Sequence, residues 1–310
     1  LPDPASRRQP EGPLAPSALW WAAPLSTTDW PGVTRAELRI VELHIGTLSE
    51  AGTFDAALPH LDRYAALGFT AVEPLPINTC PGTRNWGYDG TFPFTVWEAY
   101  GGPDGLRRFV EAAHQRGLAV LLDLVFNHFG PEGNVLPRFG PYVSDSIRGP
   151  WGDAVNLDGP GSDEVRSTFL AAARQWVEIF GVDGFRLDAT DAFVDRSPRT
   201  FLSDLSDEID RLAARVGRPL HLIAETAAND PKTLRPRTEG GDGVHGVWSF
   251  DAHHAVHALL TGEQHGLYAD FGRVSDLGVA WRDGWRRQGE RSRFFGRRWG
   301  APPLGLATPD

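Results

Sequence analysis

The sequence predicts an α/β chain organised as a (β/α)8 TIM barrel, and three observations carry that prediction. Short apolar runs alternate strictly with amphipathic helical stretches, the pattern of a parallel sheet. Long loops follow the runs and short glycine turns precede them, as in a barrel whose chemistry sits at the strand C-termini. No G-x-G-x-x-G follows the first run and no P-loop is present, which sets aside a doubly wound nucleotide-binding sheet.

The elements follow in order. RIVELHIG (39–46) reads as a buried strand, and FDAALPHLDRYAALG (54–68) as a helix stopped by Gly68. FTAVEPLPI (69–77) is the second strand, followed by the long loop PGTRNWGYDGTFPF. A helix over 104–117 leads to LAVLLDLVFNH (118–128), the third and most hydrophobic strand. A loop runs to about 161, and SDEVRSTFLAAARQWVEIF forms the next helix. GVDGFRLDA (181–189) is the fourth strand, PRTFLSDLSDEIDRLAARVG (198–217) a helix, and LHLIAE (220–225) the fifth strand. GVHGVWSFD (243–251) reads as a sixth, with HHAVHALLTG helical behind it.

Six units precede the basic, glycine- and proline-rich tail ERSRFFGRRWGAPPLGLATPD. Six strands would leave two sheet edges unpaired, so residues 39–310 are expected to be a partial barrel whose last two strands lie beyond Asp310. The chain has no methionine, which makes an excised segment of a longer protein the expectation. Residues 1–38 are proline-rich and aperiodic, and read as an irregular linker from a preceding domain. Its tryptophans Trp20, Trp21 and Trp30 are expected to pack against the barrel.

Composition narrows the function. Hydrophobic residues at 41% and charged residues at 23% are ordinary for a globular chain. A formal charge of −10 argues against nucleic acid or an anionic membrane as partner and suits a neutral substrate. Cys80 is the single cysteine, which excludes an internal disulfide and fits a reducing, cytoplasmic setting. No apolar run reaches the roughly 18 residues of a membrane span.

The chemistry points to two strand ends. Arg186 and Asp188 share one face of the fourth strand, and the cation favours an ionised Asp188 that can serve as a nucleophile. Glu225 falls where the next strand ends, so both carboxyls can face one pocket. Acetal cleavage needs such a pair, one to attack and one to protonate the leaving oxygen.

Three ordered motifs, LLDLVFNH, GFRLDA and IAE, resemble the signatures of the α-amylase superfamily of retaining glycoside hydrolases. ELHIGTLSEAGTF, RNWGYDG, NHFGPEGN and HHAVHALLTGE are similar, more narrowly, to its maltooligosyltrehalose trehalohydrolases. The resemblance implies cleavage of the α-1,4 bond next to a terminal trehalose, with an α-1,4-glucan such as maltooligosyltrehalose as partner and no cofactor or metal. Carried over by position, it makes Asp188 the nucleophile and Glu225 the general acid and base, with Arg186 holding Asp188 ionised. It gives His128 a hydrogen bond to the sugar and Tyr88 a stacking role, with Trp86 and Asp89 shaping the loop. It makes Asn127 structural and Asp123 a buried support for the strand. Asp251, His253 and His254 either line a subsite or, for Asp251, cap a helix. Retention implies carboxyls roughly 5–5.5 Å apart, a raised pKa at Glu225 and a low one at Asp188.

Departures accompany the resemblance. The superfamily's Asn-His-Asp triplet is missing from the chain, so this segment alone is expected to be inactive or nearly so. Val41 replaces a usual tyrosine, Asp191 a usual histidine, and SFDAHH (249–254) a more acidic motif. Two alternatives stand beside the hydrolase: a glycogen branching enzyme-like glucanotransferase, and a barrel remnant that binds α-glucan without cleaving it.

Overall fold

A computed structural model describes residues 2–25, 29–149, 151–303 and 306. Six parallel strands make a curved sheet: β1 (Ile40–Leu43), β2 (Ala71–Pro74), β3 (Ala119–Leu124), β6 (Gly184–Leu187), β7 (His221–Thr226) and β8 (Gly246–Ser249), in the order β1-β2-β3-β6-β7-β8. The loop after β3 carries an antiparallel hairpin, β4 (Val143–Gly149) with β5 (Gly152–Val155). The helices are α1 (Ile45–Leu48), α2 (Phe54–Ala66), α3 (Gly102–His114), α4 (Ser162–Phe180), α5 (Phe201–Val216), α6 (Phe250–Thr261) and α7 (Val274–Asp283). None of the described helices is long and apolar enough to cross a membrane.

Local chemistry sets the helix ends. The Thr53 hydroxyl accepts from Ala56 N at the start of α2, and Thr200 accepts from Ser203 N at the start of α5. Gly181 closes α4 in the left-handed conformation. Strand alternation then divides the core in two. Val72, Val120, Leu122, Leu124, Phe185, Leu187, Leu222 and Ala224 pack against the helices. Ala71, Ala119, Leu121 and Ile223 face inward, together with Trp30, Val33 and Leu38 of the N-terminal segment. Each fully buried aliphatic or aromatic side chain contributes about 1.5–3 kcal/mol, so both faces stabilise the sheet. The register pairs Asp123 with Arg186, and Arg186 with Ile223, on adjacent strands.

The predicted order of elements is observed, with corrections. The expected strands are longer than those formed: His44 ends the first strand by capping α1, and the second closes at Pro74 instead of Ile77. The β4–β5 hairpin occupies a stretch expected to be loop, and α7 occupies one, ahead of the tail, to which no element was assigned. Val274 and Trp281 of α7 point to solvent, so its apolar residues give little helical stripe. The final residues 304–305 and 307–310 lie outside the described residues. Trp20 stacks on Phe180 at 5.5 Å, and Trp30 on His114 at 4.5 Å. Trp21 instead stands 77% exposed, contrary to the packing expected of it.

Trp30 also joins a buried polar knot at the N-terminal end of the sheet. Asp183 accepts from Trp30 Nε1 (2.8 Å), His114 Nε2 (2.8 Å), Arg218 Nε (3.0 Å) and Val120 N (2.9 Å). Burial alone would raise its pKa, but His114, Arg218 and the Val120 amide outweigh that and hold it below the ordinary value. Its stabilising contribution is therefore present above the unfolded carboxylate's pKa and is lost as pH falls through the lower folded one. Asp183→Ala in the full-length protein is expected to cost about 3–5 kcal/mol in urea unfolding at neutral pH. A variant as stable as the parent would contradict the assignment of this knot.

Candidate active site

Arg186 projects inward from β6, and its guanidinium gathers three carboxyls. Nη1 donates to Asp123 Oδ1 (2.8 Å) and Oδ2 (2.9 Å), and to Asp188 Oδ1 (2.9 Å). Nη2 pairs with Glu225 Oε2 at 2.8 Å. Asp123 comes from β3, Asp188 from just past β6, and Glu225 from the end of β7, so three neighbouring strands build the cluster.

Asp188 is fixed from both sides. Its amide donates to Leu124 O (3.0 Å), while Asn127 Nδ2 donates to its carbonyl (2.9 Å) and to Oδ2 (2.8 Å). Glu225 is fixed by the backbone that follows Asp188. The Ala189 amide donates to Glu225 Oε2 at 2.7 Å, and Thr190 Oγ1 donates to the Glu225 carbonyl at 2.8 Å. Ala189 holds φ 41° to do so, a strained left-handed conformation for a residue with a Cβ.

Burial raises the Glu225 pKa, opposed by Arg186 and the Ala189 amide and helped by Asp188, which lies within hydrogen-bonding reach. The net direction is upward. Asp123 is also pushed up, to about 7, because burial and the Asp188 charge outweigh Arg186. The guanidinium itself is held above its ordinary value, since Asp123 and Glu225 overcome its desolvation.

A cavity of about 330 Å³ opens onto this cluster, lined by Trp151, Asp188, Ala189, Asp191, Ala192, Glu225 and Phe250. Asp191 is pinned by the Thr226 hydroxyl and by the Ala227 amide at 2.7 Å. Trp151, in the turn between β4 and β5, is half exposed and stacks on His128 at 5.8 Å. An apolar wall, a pair of carboxyls and an exposed indole suit one sugar ring and its reacting bond.

The other predicted residues divide. Tyr88 adjoins the cluster through its hydroxyl, which donates to Asp123 Oδ2 at 2.9 Å, and it does not line the cavity. His128 is buried: Nε2 donates to the Tyr88 carbonyl (3.0 Å) and Nδ1 faces Asn127 Oδ1, so neither nitrogen is turned to the cavity. The loop between Trp86 and Asp89 is held by glycine. A Cβ on Gly87 (φ 102°) would stand 2.0 Å from Pro76 O, and one on Gly130 would stand 2.0 Å from Asp89 O. Trp86 itself is exposed and tilts against His44 at 4.8 Å, away from the cavity residues.

Asp251, His253 and His254 are not brought to the cavity. Asp251 is fully buried and accepts from Asn229 Nδ2 (2.9 Å), Arg286 N (2.9 Å), Arg287 N (2.8 Å) and Arg287 Nη1 (3.1 Å). It ties α6 to the segment after α7. His254 is buried against Phe250, Tyr268 and Phe271, and burial and Arg287 hold its pKa down to about 4. His253 is exposed beside it. Sequence reasoning missed Trp151 and Phe250 as cavity walls. Trp151 stands in a Pro-Trp-Gly stretch of the sequence inside the long loop after β3, and that placement was the available signal.

Residues 41–139 match the family model described as alpha amylase, catalytic domain. A malto-oligosyltrehalose trehalohydrolase of Mycobacterium tuberculosis is 48% identical over 305 residues, covering 97% of this chain and 52% of its own length. One from Saccharolobus solfataricus is 42% identical over 300 residues, covering 95% and 52%. A Salmonella typhimurium protein whose crystal structure is assigned to the alpha amylases superposes with a TM-score of 0.91 at 36% identity, covering 99% of this chain and 53% of that one. The chain thus spans about half the length of the curated relatives it matches. It belongs to the α-amylase family.

Proposed function

We propose that this chain carries the nucleophile and the acid/base of a retaining α-glycoside hydrolase that releases trehalose from maltooligosyltrehalose. The observation that supports it is the pair Asp188 and Glu225, held on one guanidinium at the edge of one cavity. Arg186 and Asn127 both donate to Asp188, which holds its carboxyl oxygens in place for attack. Burial favours a protonated Glu225, the form needed to give a proton to the leaving oxygen. Their adjacency suits direct attack, since an inverting pair needs a gap of roughly 6.5–9.5 Å for a water. Similarity to the trehalohydrolases over 97% of the chain supports the substrate. The activity is assigned to the whole protein, because no Asn-His-Asp triplet occurs in these residues.

In the chemical step Asp188 attacks the anomeric carbon while Glu225 protonates the glycosidic oxygen. Water then enters, Glu225 takes its proton, and the sugar is released with its original configuration. Trp151 and Phe250 would flank the ring, and the Ala189 amide would steady Glu225 through both steps.

Two variants of the full-length protein test the assignment. Asp188→Asn should abolish trehalose release while maltooligosaccharide affinity by calorimetry is retained; near-normal turnover would remove Asp188 from the mechanism. Glu225→Gln should lower kcat/KM on maltooligosyltrehalose by about 10²–10⁴-fold. The same variant should be nearly spared on an α-glucosyl fluoride, whose leaving group needs no proton. Equal losses on both substrates would contradict the acid role. New α-1,6 branches in place of free trehalose would make the protein a glucanotransferase.

A further inference from the structure

A fourth carboxyl lies beneath the site, on the inner face of the sheet. Glu73 on β2 is fully buried, and neither of its carboxyl oxygens has a hydrogen-bond partner among the described residues. It stands opposite Glu42 in the β1–β2 register. The charged groups that face it are Glu42 from β1, Asp123 from β3, Arg186 from β6 and Glu225 from β7. Only Arg186 is a cation, and its Nη1 and Nη2 are already committed to Asp123, Asp188 and Glu225. Its Nε is buried without a partner among the described residues, so it does not donate to Glu73 either. A carboxylate with no donor, buried among other carboxyls, costs several kcal/mol, whereas the neutral acid avoids most of that cost.

We propose that Glu73 is a positioning residue of the glycosidase site, kept as a neutral acid so that the guanidinium charge serves Asp123, Asp188 and Glu225 alone. Its ionisation adds a second step to the alkaline fall in activity, separate from that of Glu225. An ionised Glu73 would compete for the Arg186 guanidinium and draw it from Asp188 and Glu225, disturbing the positions of both carboxyls. Burial, with the Asp123 charge added, holds the Glu73 pKa up to about 8, which puts that step just above neutrality. Because the folded pKa lies above the unfolded one, stability is full below the unfolded value and is lost as pH rises through the folded one.

The inference rests on the glycosidase reading, and the test separates the two. In the full-length protein the alkaline limb of kcat/KM should fall about a hundredfold per pH unit where two groups ionise, and about tenfold in Glu73→Gln, where one remains. The melting temperature of Glu73→Gln relative to the parent should rise from about pH 5 to about pH 8 and then level. Superimposable activity profiles would overturn the positioning role. Should Glu73→Gln fail to fold, parent protein labelled with carbon-13 at glutamate Cδ still decides the matter. One glutamate should titrate near pH 8 and persist in Glu225→Gln, and its absence from the parent or its loss in that variant would overturn the proposal. Absence of glycosidase activity alongside that titration would refute the functional reading and leave the protonated Glu73 in place.

Discussion

The Arg186 guanidinium holds Asp123, Asp188 and Glu225 at 2.8–2.9 Å, and the rest of the site is arranged around that fork. Three buried carboxyls without a cation would repel one another and pay desolvation separately. Removing one partner of such a buried set costs about 3–5 kcal/mol, because the others are left uncompensated. A lysine could not replace it, since a single ammonium lacks the planar pair of nitrogens that reaches Asp188 and Glu225 at once. The same cation also differentiates the acids. Asp188 receives donors from Arg186 and Asn127, while the Glu225 pKa is raised by burial, so two chemically similar groups stand in different environments.

The fork works because the strands are in register. Asp123 stands directly opposite Arg186, and the β6–β7 pairing of Leu187 with Ala224 sets Asp188 beside Glu225. A slip of one residue would turn Arg186 toward the helices and its apolar neighbours toward the inside. Register in turn is held at the far end of the sheet. Asp183 ties β6 to β3 through the Val120 amide and to the N-terminal segment through Trp30, and His221 of β7 donates to Val33 O at 2.8 Å. The N-terminal segment therefore contributes to the site from a distance, by closing the inner face over Ala71, Ala119, Leu121 and Ile223.

Much of this was legible in the sequence, and for identifiable reasons. The six strands announced themselves because both faces of a parallel sheet are covered, which gives apolar runs such as LAVLL. Arg186, Asp188 and Glu225 were legible because strand alternation and strand ends dictate direction, independent of tertiary detail. The β4–β5 hairpin was not legible, as Val143–Gly149 has a polar, glycine-broken pattern that local rules assign to loop. Asp251 misled for another reason. An acid at the first turn of a helix beside two histidines looks like a binding motif, yet Arg287, far along the chain, claims it. Contacts between distant segments decide such cases, and no local window contains them.

Trapping the reaction partway would be the most direct measurement. A 2-deoxy-2-fluoro or 5-fluoro glycosyl fluoride of the maltooligosyl series, incubated with the full-length protein, slows breakdown of a covalent glycosyl-enzyme more than its formation. Peptide mass spectrometry after proteolysis should then place the sugar on the peptide that carries Asp188, and Asp188→Asn should give no adduct. An adduct on another carboxylate, or turnover of the natural substrate with inverted anomeric configuration and no adduct, would contradict the account.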